Sequence, residues 1–377
     1  MTKPHSHKQS PPQRGLVARL LVAPLVLAAS NFACTALSPT ALPTPLLQPA
    51  TPTTACTVAP LYDPRENVYE TVIEPLEVVA PSGNRIHGLI RRPDPSLYPD
   101  LCFPAVVLVP GGINPGRMAA HGKDAEQLAS AGMVVVTFNA EGRIDTIAPE
   151  KDVRSEGTED YNGFRHQDGL CEIVRHVLAL GYVTPDNVGI ATQSYGITMG
   201  AGCAGRHPDV PIKYLVDGEG PPDSYVTTHE PSTLDGDPSN DKVETVYGIL
   251  GHYSVSRDPS EENQAFWSER EAIRFIGGFR GRYLRLQATW DHAQPPWSEA
   301  EVTTFDQPPL WWHNKHTTDM VNAAVEGGVP WVQVNLIQHG NPVNGTFDQQ
   351  NPPVYLPGYL ADKPWAARAI LEMVRMP

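Results

Sequence analysis

Positive charge is scarce in this chain: 28 Lys and Arg stand against 42 Asp and Glu, a net charge of -14. Such a surface repels a phosphate backbone, which excludes non-specific nucleic-acid binding. No basic cluster or aromatic-basic patch offsets it. Long apolar runs are missing as well. The run Leu20 to Ala29 is short and interrupted by Pro24, so it spans a bilayer poorly. Internal repeats are absent, so nothing points to a solenoid or a propeller. The acidic stretch Asp235-Gly236-Asp237, with Asp241 and Glu244, lacks the glycine a calcium loop needs at its sixth position. A solvated acidic loop is expected there, with no metal and no cofactor.

What is present begins with an export pattern. Lys3, Lys8, Arg14 and Arg19 precede the short apolar run, and Ser30-Asn31-Phe32-Ala33-Cys34 follows it. Basic segment, apolar core and small-residue exit describe a secretory signal over residues 1–34. An uncleaved N-terminal anchor is one alternative; a lipid anchor is another, since Cys34 follows Ala33 where a lipoprotein signal carries its lipidated cysteine. Residues 35–64 are rich in Pro, Thr and Ala and nearly uncharged until Asp63; they cannot bury a core and read as an extended tether. The expected location is outside the cytoplasm: secreted, periplasmic or at the cell surface. The remaining 65–377 segment is long enough for one large domain.

Five cysteines are present: Cys34, Cys56, Cys102, Cys171 and Cys203. In an exported chain the last four suggest two disulfides. Cys171 and Cys203 fall at matching heights, about 10 and 12 Å along their helices at 1.5 Å per residue, so they are expected to pair. Cys56 and Cys102 then pair by elimination.

From residue 65 onward strands and helices alternate. Val68 to Ala80 and Arg85 to Arg91 read as a hairpin around the Pro81-Ser82-Gly83-Asn84 turn. Phe103 to Pro110 and Met133 to Phe138 are continuous apolar runs, as strands buried on both faces require. Helices are expected over Met118 to Ala131, Tyr161 to Leu180 and Tyr195 to Arg206. Further strands are expected over Val188 to Thr192, Ile212 to Val216, Arg282 to Thr289 and Val329 to Ile337. Helices over Asn314 to Gly327 and Lys363 to Met376 complete the series. The order predicts an α/β fold: a mainly parallel central sheet, an antiparallel N-terminal hairpin and helices on both faces. Between the sixth and seventh of these strands the alternation breaks. Residues 218–281 read as a lid insertion with an aromatic helix near Ala265 to Phe275.

Ligand sites in such sheets lie at the C-terminal ends of the strands. The stretch Val188 to Gly200 reads as strand, sharp turn and helix, with Ser194 on the turn and small residues around it. That is the form of a nucleophile elbow, small-x-Ser-x-Gly. Gly196 fits the pattern, and Thr192 stands where glycine is usual. A serine hydroxyl needs a base, and the base needs an orienting carboxylate. Asp291 ends the following strand but one, and His339 ends the last. Asp217 is a rival acid. His313 and His316 are rival bases beside Trp311-Trp312, and His292 adjoins Asp291.

At this point the chain resembles the α/β-hydrolase superfamily over roughly residues 65–377. Ser194-Tyr195-Gly196, Trp290-Asp291-His292 and Gln338-His339-Gly340 are similar to the motifs of prolyl oligopeptidase, dienelactone hydrolase and X-prolyl peptidase relatives. The resemblance implies Ser194 as nucleophile, His339 as base and Asp291 as its orienter. It implies an oxyanion hole formed by the Tyr195 N–H and a second donor, Gly112 or Ile113, from the Gly111-Gly112-Ile113 turn. Ile197 replaces the second glycine frequent in the peptidases. About 65 residues precede the domain, too few for a β-propeller, and a helix stands where X-prolyl peptidases add a β domain. The resemblance thus implies a serine hydrolase of small carboxylic esters, with short peptides as the alternative substrate class. A binding protein on an inactive hydrolase fold is the second alternative. Glu219 and Asp223 are candidate holders of a substrate amine, and Trp267 and Phe275 candidate walls for an apolar group. No partner protein and no oligomeric state is implied.

Overall fold

The computed structural model describes residues 56–146, 152–228, 251–288, 317, 319–337 and 365–376. Among them, nine strands form one mixed sheet. The strands are Thr57–Val58 (β1), Thr71–Val79 (β2), Arg85–Pro93 (β3), Leu101–Val109 (β4), Val134–Phe138 (β5), Val183–Gln193 (β6), Tyr214–Gly218 (β7), Arg282–Ala288 (β8) and Trp331–Ile337 (β9). Their spatial order is β2-β3-β5-β4-β6-β7-β8-β9, with the short β1 beside β4. The hairpin β2–β3 and the β3–β5 pair are antiparallel, and the remaining pairs are parallel.

The apolar runs form central strands because both faces are covered. Along β4, Ala105, Val107 and Val109 enter one core layer and Val106 the other. The first layer is completed by Phe164–Leu178 (α2) and Gly196–Arg206 (α3); the second by Lys123–Ser130 (α1) and Trp365–Arg375. Burying one valine or isoleucine side chain contributes roughly 1.5–3 kcal/mol over leaving it exposed. Runs with no polar alternation are therefore stable only inside such a sandwich.

Several element boundaries differ from expectation. The 118–131 helix is broken at Gly122, whose backbone is extended, into a 3-10 turn Arg117–His121 and α1. The helix expected from Tyr161 starts at Phe164, because Tyr161 and Asn162 sit at φ 48° and 64°. Left-handed residues cannot open a right-handed helix. β7 runs two residues further than expected, so Asp217 lies inside the strand rather than after it.

The 218–281 segment is not wholly a lid. It holds Ser224–Thr228 (α4), Glu261–Ser268 (α5) and Ile273–Ile276 (α6), so the single aromatic helix is two pieces. Ala272, Ile276 and Phe279 belong to the first core layer. The segment reaches the domain body through backbone: a Cβ on Gly205 of α3 would strike the Phe275 carbonyl. Helices over 319–326 (α7) and Trp365–Arg375 (α8) close the described chain.

Residues 56–64, expected in the tether, are part of the folded domain. Cys56–Cys102 is a disulfide with 5.5 Å between the Cα atoms, β1 pairs with β4, and Ala59 is buried. Cys171–Cys203 is a second disulfide, 5.4 Å between Cα atoms, linking α2 to α3. Both pairings match the expectation. No helix among the described residues is long and apolar enough to cross a membrane.

Candidate active site

Ser194 follows the last residue of β6 and precedes α3. Its φ is 50°, a left-handed conformation that stores roughly 1–3 kcal/mol in a residue other than glycine. The strain persists because the surroundings over-determine the turn. The Ser194 N–H donates to the Gly218 carbonyl at 2.7 Å, and the Ser194 carbonyl accepts from the Ile197 N–H at 3.0 Å. Space is the second constraint. A Cβ on Gly196 would collide with the Pro110 carbonyl, and one on Gly111 would lie 3.1 Å from the Ser194 Cβ.

Thr192 departs from the elbow pattern, and the structure compensates on the facing helix. The Thr192 methyl fills the place a side chain at Gly200 would take. Its hydroxyl donates to the Val216 carbonyl at 3.3 Å. The small residue has moved from the strand to α3.

The turn after β4 lies against the elbow. Gly112 has φ 60°, and the Gly111 carbonyl accepts from the Asn114 side-chain amide at 2.8 Å. Among the described residues, the N–H groups of Gly112 and Ile113 donate to no other protein group. Asn162 joins the two halves: its side-chain amide donates to the Gly112 carbonyl at 3.3 Å and to the Tyr195 carbonyl at 3.0 Å. Sequence reasoning placed Asn162 inside a helix and missed it. The Asn162-Gly163 dipeptide, a turn signal, was the available clue.

Beneath Asn162 lies a buried charged group. Arg143 donates to the Asn162 side-chain oxygen at 2.6 Å and pairs with Glu159 at 2.9 Å. Burial pushes the Glu159 carboxyl up, but the Arg143 hydrogen bond and charge outweigh it and leave it below the usual value. His166 is held neutral, its pKa lowered to about 3, first by burial and then by Arg143. Its Nε2 faces the Glu141 carbonyl at 3.0 Å and its Nδ1 the Asn162 N–H at 3.3 Å, which selects the Nε2-protonated tautomer.

Tyr195 is wholly buried, which raises its phenol well above the ordinary value. The phenol donates to the Tyr161 carbonyl at 3.0 Å, and the ring packs with Trp267 of α5. Trp267 is itself buried and donates to the Tyr253 carbonyl at 2.7 Å. Phe275 lies edge-on to Phe164 with 6.0 Å between ring centres. Both aromatics expected to wall a substrate pocket are thus packed into the domain instead. Arg270 fastens the insertion to the 152–163 loop through Asp160 at 2.8 Å.

Asp217 is fully buried in β7. Its carboxylate accepts from the Tyr283 hydroxyl at 2.7 Å, from Arg285 at 2.6 Å and from the Gly220 N–H at 3.1 Å. Glu219, next in the chain after Gly218, has φ 57° and donates its N–H to the Leu286 carbonyl at 3.0 Å. The Asp223 carboxylate accepts from the Val226 N–H at 3.0 Å, at the start of α4.

Asp291 and His339 lie outside the described residues, as do His292, His313, His316 and the 235–244 acidic stretch. Ser194, Tyr195, Gly112 and the turn bearing Ile113 are brought together. Among the described residues no group of three or more His, Cys, Asp or Glu is placed to hold a metal ion.

No family model matches the sequence, and no curated protein matches it. Solved structures are similar in fold. A puromycin hydrolase shares 16% identity over 81% of this chain and 39% of its own, with a TM-score of 0.51. DcsB, solved in complex with its substrate analogue, shares 14% identity over 81% of this chain and 99% of its own, TM-score 0.50. A dipeptidyl aminopeptidase IV from Bacteroides ovatus shares 17% identity over 71% of this chain, TM-score 0.48. The chain spans about a third of that protein, 32% of its length. Sheet order, elbow and the likenesses to the puromycin hydrolase and to DcsB agree: the chain has the α/β-hydrolase fold.

Proposed function

We propose that the protein is an exported serine hydrolase that cleaves small carboxylic esters through an acyl-enzyme. The observation that carries the proposal is Ser194 at φ 50° between β6 and α3, against the Gly111-Gly112 turn. A strained, non-glycine residue at that position turns its side chain clear of the strand and helix backbone, where its hydroxyl can attack a carbonyl. His339 takes the serine proton and returns it to the leaving alcohol, while Asp291 orients the imidazole. The Tyr195 N–H and a donor from Gly112 or Ile113 stabilise the oxyanion. No cofactor takes part. Asp217 is the weaker acid candidate, since its carboxylate already binds Tyr283, Arg285 and Gly220. Two disulfides suit an oxidising compartment, in keeping with export.

A cavity of about 420 Å³ borders the elbow strand at Gly111, Thr192 and Gln193, but Ser194 does not line it, so the ester reading rests on the elbow rather than on this cavity. Leu108, Leu128, Ala191 and Ile370 line it. A short-peptide substrate is the second reading, favoured by the strained Glu219 just beyond Gly218, the residue bonded to the Ser194 N–H. A carboxylate there would select a substrate amine.

The test is labelling by a fluorophosphonate probe, then kcat/KM for p-nitrophenyl butyrate against aminoacyl p-nitroanilides. Ser194→Ala and His339→Ala are expected to abolish labelling and turnover, and Asp291→Asn to lower turnover strongly. Absence of wild-type labelling would sink the hydrolase proposal and favour an inactive binding fold. Anilide cleavage as fast as ester cleavage would favour the peptide reading. A harmless Asp291→Asn beside a crippling Asp217→Asn would move the acid.

A further inference from the structure

We propose that Asn162 is the positioning residue of the oxyanion hole, and that the donor it sets is the Ile113 N–H; this rests on the hydrolase activity proposed above. Asn162 is fully buried and every polar group it owns is engaged. Its two amide protons serve the Gly112 and Tyr195 carbonyls. Its side-chain oxygen accepts from Arg143, its carbonyl from Gln167 at 3.0 Å, and its N–H faces the His166 ring. It does this at φ 64°. A left-handed residue held from five directions is over-determined in the way functional positions are.

The two carbonyls it holds belong to the two chain segments that would supply the oxyanion donors. A trans peptide is planar, so its N–H points opposite to its C=O. Holding the Gly112 carbonyl on Asn162 therefore turns the Ile113 N–H away from Asn162. The Gly111 carbonyl is bound by Asn114, which fixes the preceding peptide separately. The bond to Tyr195 fixes the same anchor to the residue that caps the elbow helix. One side chain thus sets the spacing between the two donor segments. Arg143 matters here because it leaves the Asn162 amide only one orientation: oxygen toward the guanidinium, nitrogen toward the two carbonyls.

An anion held by two donors loses most of its stabilisation when one moves by a fraction of an ångström, and the loss falls on the transition state rather than on bound substrate. The experiment compares wild-type protein with Asn162→Asp and Asn162→Gly. Asp keeps the shape and the Arg143 contact but donates nothing; Gly keeps the left-handed backbone and removes the side chain. Both tolerate this φ, so either can report if the other fails to fold, and thermal unfolding identifies that case. For p-nitrophenyl butyrate, kcat is expected to fall about 10- to 100-fold with KM within about twofold of wild type. Binding of an alkyl boronic acid, whose adduct places an anionic oxygen at the donors, is expected to weaken by a similar factor. A folded variant with kcat within about twofold of wild type overturns the proposal. So does a raised KM at unchanged kcat, or a fallen kcat with undiminished boronate affinity. A wild-type protein that takes no fluorophosphonate overturns the hydrolase activity and this role together; active wild type with unaffected variants overturns this role alone.

Discussion

At residue 192 the chain carries threonine where the elbow pattern has glycine, and the structure shows what replaces the missing space. The Thr192 methyl and the bare Cα of Gly200 form one contact, so the two positions are coupled. Gly200→Ala alone drives a methyl into Thr192 and is expected to destabilise by about 1–3 kcal/mol. In a Thr192→Ala background the same change has room, so the two effects are not additive. Denaturant midpoints of the four proteins give the coupling; additive values would show that the contact has slack. Asn162 was invisible to periodicity for a related reason. A residue whose role is to bond two distant carbonyls leaves no local pattern, apart from the glycine after it.

Among the elements, α2 and α3 are the pair that carries the site. α3 begins at the elbow, and α2 follows directly on the Asn162 turn. The Cys171–Cys203 disulfide ties these helices across 32 residues of sequence. Closing a loop of that size in the unfolded chain contributes roughly 3–4 kcal/mol in the chain-entropy model. The Cys171→Ala/Cys203→Ala double variant is therefore expected to lose about that much unfolding free energy. A loss below about 1 kcal/mol would mean that core packing alone sets the helix pair. The insertion follows a different logic. Its second half is fastened by Gly205 and Gly278 of facing backbones and by the Arg270–Asp160 pair, so α6 is held to the domain body.

The whole molecule responds to pH through the buried group under the site. His166 has an ordinary value of 6.5 and a folded value of about 3. Between these values the unfolded chain binds a proton that the folded one does not, so stability rises with pH across this window. It is lost as pH falls from 6.5 toward 3. From pH 7 to 5 this single group removes about 2 kcal/mol of unfolding free energy. Urea unfolding of wild type and His166→Gln at both pH values tests this. The variant is expected to start less stable and to decline less steeply; equal declines would place the pH dependence elsewhere. Glu159, held below its usual value, contributes stability that is lost only at lower pH, so the 7-to-5 interval separates the histidine from its neighbour, and the His166→Gln comparison separates it from the other histidines.

Composition and spacing alone determined the fold class. Unbroken apolar runs such as Ala105-Val106-Val107-Leu108-Val109 need cover on both faces, and glycine-ended amphipathic helices between them provide it. The elbow was legible because its demands are local: a strand, one strained serine, and small neighbours within a few residues. The Cys171–Cys203 pairing followed from helix rise. What only the tertiary structure decided are contacts between segments far apart in sequence, or between faces that no period reveals: the Thr192–Gly200 exchange, the burial of Trp267 behind Tyr195, the capture of Asp217 by Arg285, and the Asn162 bridge. Each depends on which face of one element meets another. A one-dimensional pattern records the period of an element, but not the partner its side chains will touch.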